Sequence, residues 1–268
     1  MPTIDVPAGR LHYLDSGGGG DGVPLVLVHA FPLSSAMWED QIADLAPGYR
    51  VIAPDLRGFG ESDVPSEPGA YSVDGWADDV AALLGALGLA RVVLGGLSMG
   101  GYVAFAYLRR HRQTLAGLVM ADTRPGVDTA EVRARRDEQQ RQLRAESEPV
   151  ELADSLLQPL VGRSTTRREE ALDTGRALLA RNRTAGVIGA LEALKNRPDS
   201  TGDLAGIDVP TLVVVGEQDQ LSPPNVAEEM AGAIPGSRLL VVPDAGHVTN
   251  LENPAAFNHA LREFLAQI

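Results

Sequence analysis

The string Gly96-Leu97-Ser98-Met99-Gly100-Gly101 has the residue types and spacing to present a nucleophile. It follows an apolar run, Arg91-Val92-Val93-Leu94, and precedes residues 102–108, which read as a buried helix. In a G-x-S-x-G string between strand and helix, the serine sits at the apex of a sharp, strained turn that exposes its hydroxyl. Gly96 and Gly100 leave out side chains that would clash across such a turn, and Gly101 lets the helix pack closely on the sheet. A glycine-rich turn with a solvated serine fits the same string, so the chemical reading requires a base, an acid and an oxyanion site elsewhere in the chain.

A serine hydroxyl is a weak nucleophile and needs a base oriented by a third group. In parallel sheets such groups gather on loops at the carboxyl ends of strands. Of the five histidines, His12 lies within a predicted strand, His111 at a helix end among arginines, and His259 on the final helix. His29 and His247 each follow an apolar strand. His247, in a Gly-His turn after the last strand, fits the order Ser…Asp…His and is favoured as the base; His29 reads as a brace for its loop or as a pocket residue. Asp219, in Gly216-Glu217-Gln218-Asp219, is the favoured acid, with Asp122, at the end of the strand after the serine, as the alternative. Asp244 reads as a turn residue. The oxyanion donors expected are the backbone N–H groups of Met99, the residue after the nucleophile, and of Phe31, in the loop His29-Ala30-Phe31-Pro32. Pro32 has no N–H to offer.

These groups need a scaffold. Leu11–Asp15 alternates like a half-buried strand and ends in the loop Ser16-Gly17-Gly18-Gly19-Gly20. Continuous apolar runs at Pro24-Leu25-Val26-Leu27-Val28, Arg50-Val51-Ile52-Ala53-Pro54, residues 115–120, Pro210-Thr211-Leu212-Val213-Val214-Val215 and Leu239-Leu240-Val241-Val242 are the pattern of strands covered on both faces. Helical spacing separates them at residues 37–45 and 73–87, where Trp76, Val80, Leu83, Leu84 and Leu87 share a face. A helix opens at Pro223-Pro224, and a closing helix covers residues 254–266. Strands alternating with helices predict an α/β fold, with a mostly parallel sheet and helices on both faces.

The alternation stops at Arg124 and resumes near Ser200. Residues 124–200 show no strand and predict four helices, at 129–145, 150–160, 167–181 and 185–195. We therefore divide the chain into a core, 1–123 with 201–268, and a helical cap insertion, 124–200, far longer than an ordinary strand–helix connection. Leu156, Leu160, Leu179 and Leu191 of the insertion, with His29 and Trp38, are candidate pocket residues. The insertion's arginines could select an anionic substrate, but on helices interspersed with glutamate they read as a solvated face.

Composition excludes several classes. The formal charge of −13 argues against nucleic acid and anionic membranes as partners, since both need a basic surface. With no cysteine, disulfides, thiolate catalysis and Cys-ligated zinc are excluded. The N-terminus lacks a basic and apolar signal segment and no apolar run reaches membrane-spanning length, so a cytoplasmic protein is expected.

Five pieces in order carry a family resemblance: His29-Ala30-Phe31-Pro32, Asp55-Leu56-Arg57-Gly58-Phe59-Gly60-Glu61-Ser62, Gly96-Leu97-Ser98-Met99-Gly100-Gly101, Gly216-Glu217-Gln218-Asp219 and Ala245-Gly246-His247. Together they resemble the α/β-hydrolase family over nearly the whole chain. The resemblance implies an eight-stranded sheet, a helical cap between strands six and seven, and no cofactor. The family commonly has His-Gly where this chain has His29-Ala30, a methyl group beside the turn that presents Phe31. Within the family the sequence is similar to small serine carboxylesterases and perhydrolases and to enol-lactone hydrolases, and it shares Ser-Met-Gly-Gly with carbon–carbon hydrolases. Haloalkane dehalogenases and epoxide hydrolases, which use aspartate where Ser98 stands, are disfavoured. The expected function is hydrolysis of a small carboxylic ester or lactone through an acyl-enzyme on Ser98. The alternatives are carbon–carbon bond hydrolysis or cofactor-free perhydrolysis on the same triad, and a ligand receptor without turnover.

Overall fold

The apolar runs assemble, in a computed structural model, into one eight-stranded sheet. The structure describes residues 2–18, 20, 22–145 and 148–268. Met1, Gly19 of the predicted glycine loop, Asp21, and Glu146 and Ser147 lie outside the described residues. The strands are β1 (Thr3–Val6), β2 (Gly9–Asp15), β3 (Leu25–Val28), β4 (Val51–Pro54), β5 (Val92–Leu97), β6 (Leu115–Ala121), β7 (Thr211–Gly216) and β8 (Arg238–Val242). Their spatial order is β1-β2-β4-β3-β5-β6-β7-β8. The β1–β2 and β2–β4 pairs are antiparallel and the rest are parallel. The continuous runs in β3 to β7 are buried throughout, as strands covered on both faces must be. Periodicity misses β1: it is a four-residue edge strand with no buried residue, so it carries no apolar signal.

The helices are α1 (Glu39–Leu45), α2 (Val73–Ala86), α3 (Met99–His111), α4 (Ala130–Ala145), α5 (Ala153–Leu157), α6 (Arg168–Leu179), α7 (Thr184–Lys195), α8 (Pro224–Ala233), α9 (Thr249–Glu252) and α10 (Pro254–Leu265). Side chains of β3 to β7 alternate between two cores. Val26, Val28, Leu94 and Met120 pack with Trp76, Phe105 and Met230 of α2, α3 and α8. Leu25, Leu27, Val93 and Val119 belong to the other core, with Phe257 and Phe264 of α10. Leu143, Leu157, Leu172 and Leu191, from α4 to α7, join that second core.

All described residues of 124–200 in regular structure are helical. The helix predicted at 150–160 is instead a short α5 flanked by 3₁₀ turns at Pro149–Leu152 and Gln158–Leu160. Pro159, which cannot donate to a helical ladder, accounts for the break after Leu157. Among the described residues no helix is long and apolar enough to cross a membrane.

Candidate active site

The strand register brings the predicted chemistry to one edge of the sheet. Val28 pairs with Gly96, Leu97 with Ala121, Ala121 with Val214, and Gly216 with Val242. The residues that follow β3, β5, β6, β7 and β8 therefore leave the sheet side by side, at the edge where open α/β sheets place their sites.

Ser98 is the first of these. Its backbone is held at φ 55°, ψ −107° between β5 and α3, a conformation that costs a non-glycine residue free energy. The neighbouring packing enforces it. A Cβ on Gly96 would run into the carbonyl of Gly100, one on Gly100 into the carbonyl of Val28, and one on Gly101 into Thr123. Ser98 N–H donates to the Ala121 carbonyl at 2.9 Å, and its own carbonyl accepts from Thr123 Oγ1 at 2.9 Å. The backbone is thus clamped to the end of β6 and the side chain is turned outward.

His247 Nε2 lies 2.8 Å from Ser98 Oγ, and His247 Nδ1 lies 2.8 Å from Asp219 Oδ2. The other oxygen of Asp219 accepts the backbone N–H groups of Leu221 and Ser222 at 2.8 and 3.0 Å. Asp219 and His247 are both buried. This arrangement fixes the imidazole with one nitrogen toward the carboxylate and the other toward the hydroxyl, the geometry that general-base activation requires.

Asp122, the alternative acid, is buried next to this relay without joining it. It accepts from Gly216 N–H at 3.0 Å and from the N–H and hydroxyl of Thr249 at 3.3 and 2.6 Å. Burial, reinforced by the charge of Asp219, pushes its carboxyl well above the ordinary range. Asp122 ties the end of β7 to α9 and thereby supports the loops of both Asp219 and His247.

Sequence reasoning missed Glu252, which lies on the short helix α9 and gave no motif signal. One of its oxygens accepts the N–H of Gly246 at 2.9 Å and of Val248 at 3.4 Å, on either side of His247. The other accepts from Gly162 N–H at 2.9 Å and Thr165 Oγ1 at 2.8 Å. His247 N–H itself donates to the Leu160 carbonyl at 2.9 Å. The histidine loop is therefore fastened to residues 160–165 of the helical segment.

Phe31, Ser98, Met99 and His247 line one cavity of about 210 Å³. Met99 opens α3, so its N–H has no carbonyl to bond within the helix. The loop carrying Phe31 is fixed by buried Asn182, whose side chain donates to the Pro32 carbonyl at 2.7 Å and accepts Gly60 N–H at 2.8 Å.

Of the candidate pocket residues, Leu156 and Leu160 line this cavity, whereas His29, Trp38, Leu179 and Leu191 do not. Each of these four turns into the interior. Trp38 packs against Phe257 with ring centroids 5.9 Å apart, and Leu179 and Leu191 belong to the core on that face of the sheet. His29 is fully buried, and its Nε2 accepts Leu56 N–H at 3.1 Å. That bond needs the neutral ring, and burial lowers its affinity for a proton. The cavity wall instead contains Tyr102 and Leu194, and three arginines, Arg124, Arg135 and Arg136. Composition noted the arginines, but periodicity alone does not say which side of a helix meets a site.

A profile of the alpha/beta hydrolase fold family matches residues 23–254. Among solved structures, the chain is similar to a thermophilic esterase from Thermogutta terrifontis, determined with malate bound. The two are 42% identical with a TM-score of 0.91, over 99% of this chain and 98% of that one. It is also similar to an enol-lactonase from Burkholderia xenovorans LB400, at 30% identity and a TM-score of 0.88, over 99% and 100% of the two chains. A non-heme haloperoxidase of Rhodococcus erythropolis is 32% identical over 99% of both chains. With this match across most of its length and the fold described above, the chain belongs to the α/β-hydrolase family.

Proposed function

We propose that the protein is a serine hydrolase that cleaves a small carboxylic ester or lactone through an acyl-enzyme on Ser98. The observation that carries this reading is the continuous relay from Ser98 Oγ through His247 to Asp219, opening on a cavity. Ser98 Oγ attacks the carbonyl carbon while His247 Nε2 takes its proton. Asp219 holds the ring and stabilises the imidazolium that forms. The N–H groups of Met99 and Phe31 stabilise the tetrahedral oxyanion; loss of one such donor typically costs about 3 kcal/mol of the barrier. His247 then returns the proton to the leaving alcohol oxygen, which in a lactone stays attached to the acyl group. Water, deprotonated by His247, releases the acid and restores Ser98. These steps need no cofactor.

The esterase and enol-lactonase relatives agree in reaction class with this chemistry. We assign residues 124–200 as the cap, supported by Leu156, Leu160 and the three arginines in the cavity wall. The test is steady-state hydrolysis of 4-nitrophenyl butyrate by wild type and Ser98→Ala. Turnover that survives the substitution would sink the proposal.

The haloperoxidase relative favours one variant of the same mechanism. Hydrogen peroxide in place of water would attack the acyl-enzyme and release a peracid. Peracid formation in acetate and peroxide that disappears in Ser98→Ala identifies this route; none in wild type excludes it.

A further inference from the structure

The cavity that holds Ser98 is positively charged in a chain of formal charge −13. Arg124, Arg135 and Arg136 line it, and among the described residues no aspartate or glutamate does. Behind the wall, the fully buried carboxylate of Asp128 is shared by three guanidinium groups. Its contacts are Arg124 Nη2 at 3.1 Å, Arg136 Nε at 2.6 Å and Arg197 Nη1 at 2.7 Å. Arg197 is itself buried and stacks over the ring of Tyr102, 4.2 Å from its centroid. Arg135 joins these arginines with no carboxylate partner among the described residues, and Arg124 Nε is buried without a hydrogen-bond partner. Among the described residues, three guanidinium groups thus contact one carboxylate, and the fourth, Arg135, contacts none.

Such crowding is an electrostatic cost: Arg135 stays exposed as a whole, but the partial loss of solvent where it meets the cavity wall, together with the charges of Arg136 and Arg124, weakens its hold on its proton. An anion in the cavity would relieve it. Arginine is also the side chain whose planar fork pairs with a carboxylate through two parallel hydrogen bonds. The helical spacing that made the arginines of residues 124–200 resemble a solvated face does hold for Arg141 and Arg176, which pair with Glu138 and Asp173 on their own helices. It does not hold for the group around Asp128.

We propose that the substrate carries a carboxylate that docks on Arg124, Arg135 and Arg136 while its ester or lactone carbonyl meets Ser98. The class is half-esters of small dicarboxylic acids and lactones that bear a carboxylate. This inference rests on the hydrolase reading above, and its test separates the two.

The decisive substitution is Arg135→Gln, because Arg135 is exposed and pairs with no buried carboxylate, so the fold does not depend on its charge. The substrates are 4-nitrophenyl hydrogen glutarate, which is anionic, and 4-nitrophenyl pentanoate, its neutral counterpart of equal chain length. Wild type should favour the glutarate in kcat/KM by about ten-fold or more, since one charge-assisted pair supplies about that factor. Arg135→Gln should erase most of this preference, Arg135→Lys should keep part of it, and 0.5 M sodium chloride should narrow it. Equal or better turnover of the pentanoate by wild type would overturn the inference while leaving the hydrolase reading intact. If neither ester is cleaved, the hydrolase reading fails, and calorimetry with free glutarate still decides the anion site. Glutarate binding that Arg135→Gln weakens supports it, and no binding to wild type overturns it. Inorganic phosphate competing better than glutarate would overturn the choice of carboxylate.

Discussion

Ser98 Oγ and His247 Nε2 stand 2.8 Å apart across 149 positions of sequence. The contact depends on two separate restraints, the strained turn that exposes the serine and the bonds that hold the histidine loop. Ser98→Ala should lower kcat for 4-nitrophenyl butyrate by about ten-thousand-fold or more, since triad members act as a unit. Ser98→Gly should be equally inactive but more stable, by about 1 kcal/mol, because glycine adopts φ 55° without strain. Thermal melting of the two variants checks this; equal melting temperatures would mean that the turn stores no strain.

Asp219 and Asp122 differ in what they touch, so their asparagine variants should differ in kind. Asp219→Asn puts an amide where His247 Nδ1 expects an acceptor and should cost about ten-thousand-fold in kcat. Asp122→Asn touches neither His247 nor Ser98 and should cost far less. Comparable losses in the two variants would make Asp122 part of the relay.

Asp122 also predicts a pH dependence of stability. Its folded carboxyl holds its proton more tightly than an unfolded one, whose pKa is about 3.9. The folded state thus binds more protons over the interval between the two values. The stabilisation from that extra proton is complete below the unfolded pKa and is lost as pH rises through the folded one. Unfolding free energies of Asp122→Asn and wild type should therefore shift relative to each other in favour of asparagine between pH 4 and pH 8. A constant difference would contradict the assignment.

Glu252 accepts bonds from both neighbours of His247 and from residues 162 and 165, so it acts as a positioning residue. Glutamine replaces one of its two acceptor oxygens with a donor. Glu252→Gln should lower kcat by about ten- to a hundred-fold through displacement of the imidazole, with KM little changed. A rise in KM alone would place Glu252 in substrate binding instead.

Among the described residues, Asp128 is the one carboxylate in contact with these three arginines, Arg124, Arg136 and Arg197, the last buried with it. Asp128→Asn leaves Arg197 charged and unpaired in the interior and should destabilise the fold by about 3–5 kcal/mol. Urea unfolding measures this; a loss below about 1 kcal/mol would show that the guanidinium groups find water instead.

Most of this architecture follows from local pattern. Continuous apolar runs are strands covered on both faces, glycines at 96, 100 and 101 permit the serine turn, and strand ends mark where polar groups gather. Those signals located Ser98, Asp219 and His247 because each depends on its immediate neighbours in the chain. They failed for β1, which buries nothing, and for Glu252, whose partners lie at 162, 165, 246 and 248. The direction in which a helix of residues 124–200 turns its side chains is likewise set by packing, which placed Leu179 and Leu191 in the core and Arg135 and Arg136 at the cavity. Sequence alone determined the fold class and the candidate relay, since backbone sterics and burial periodicity act over a few residues. Only the tertiary structure decided which acid faces His247 and what charge surrounds Ser98, because both depend on contacts between segments that the chain brings together from afar.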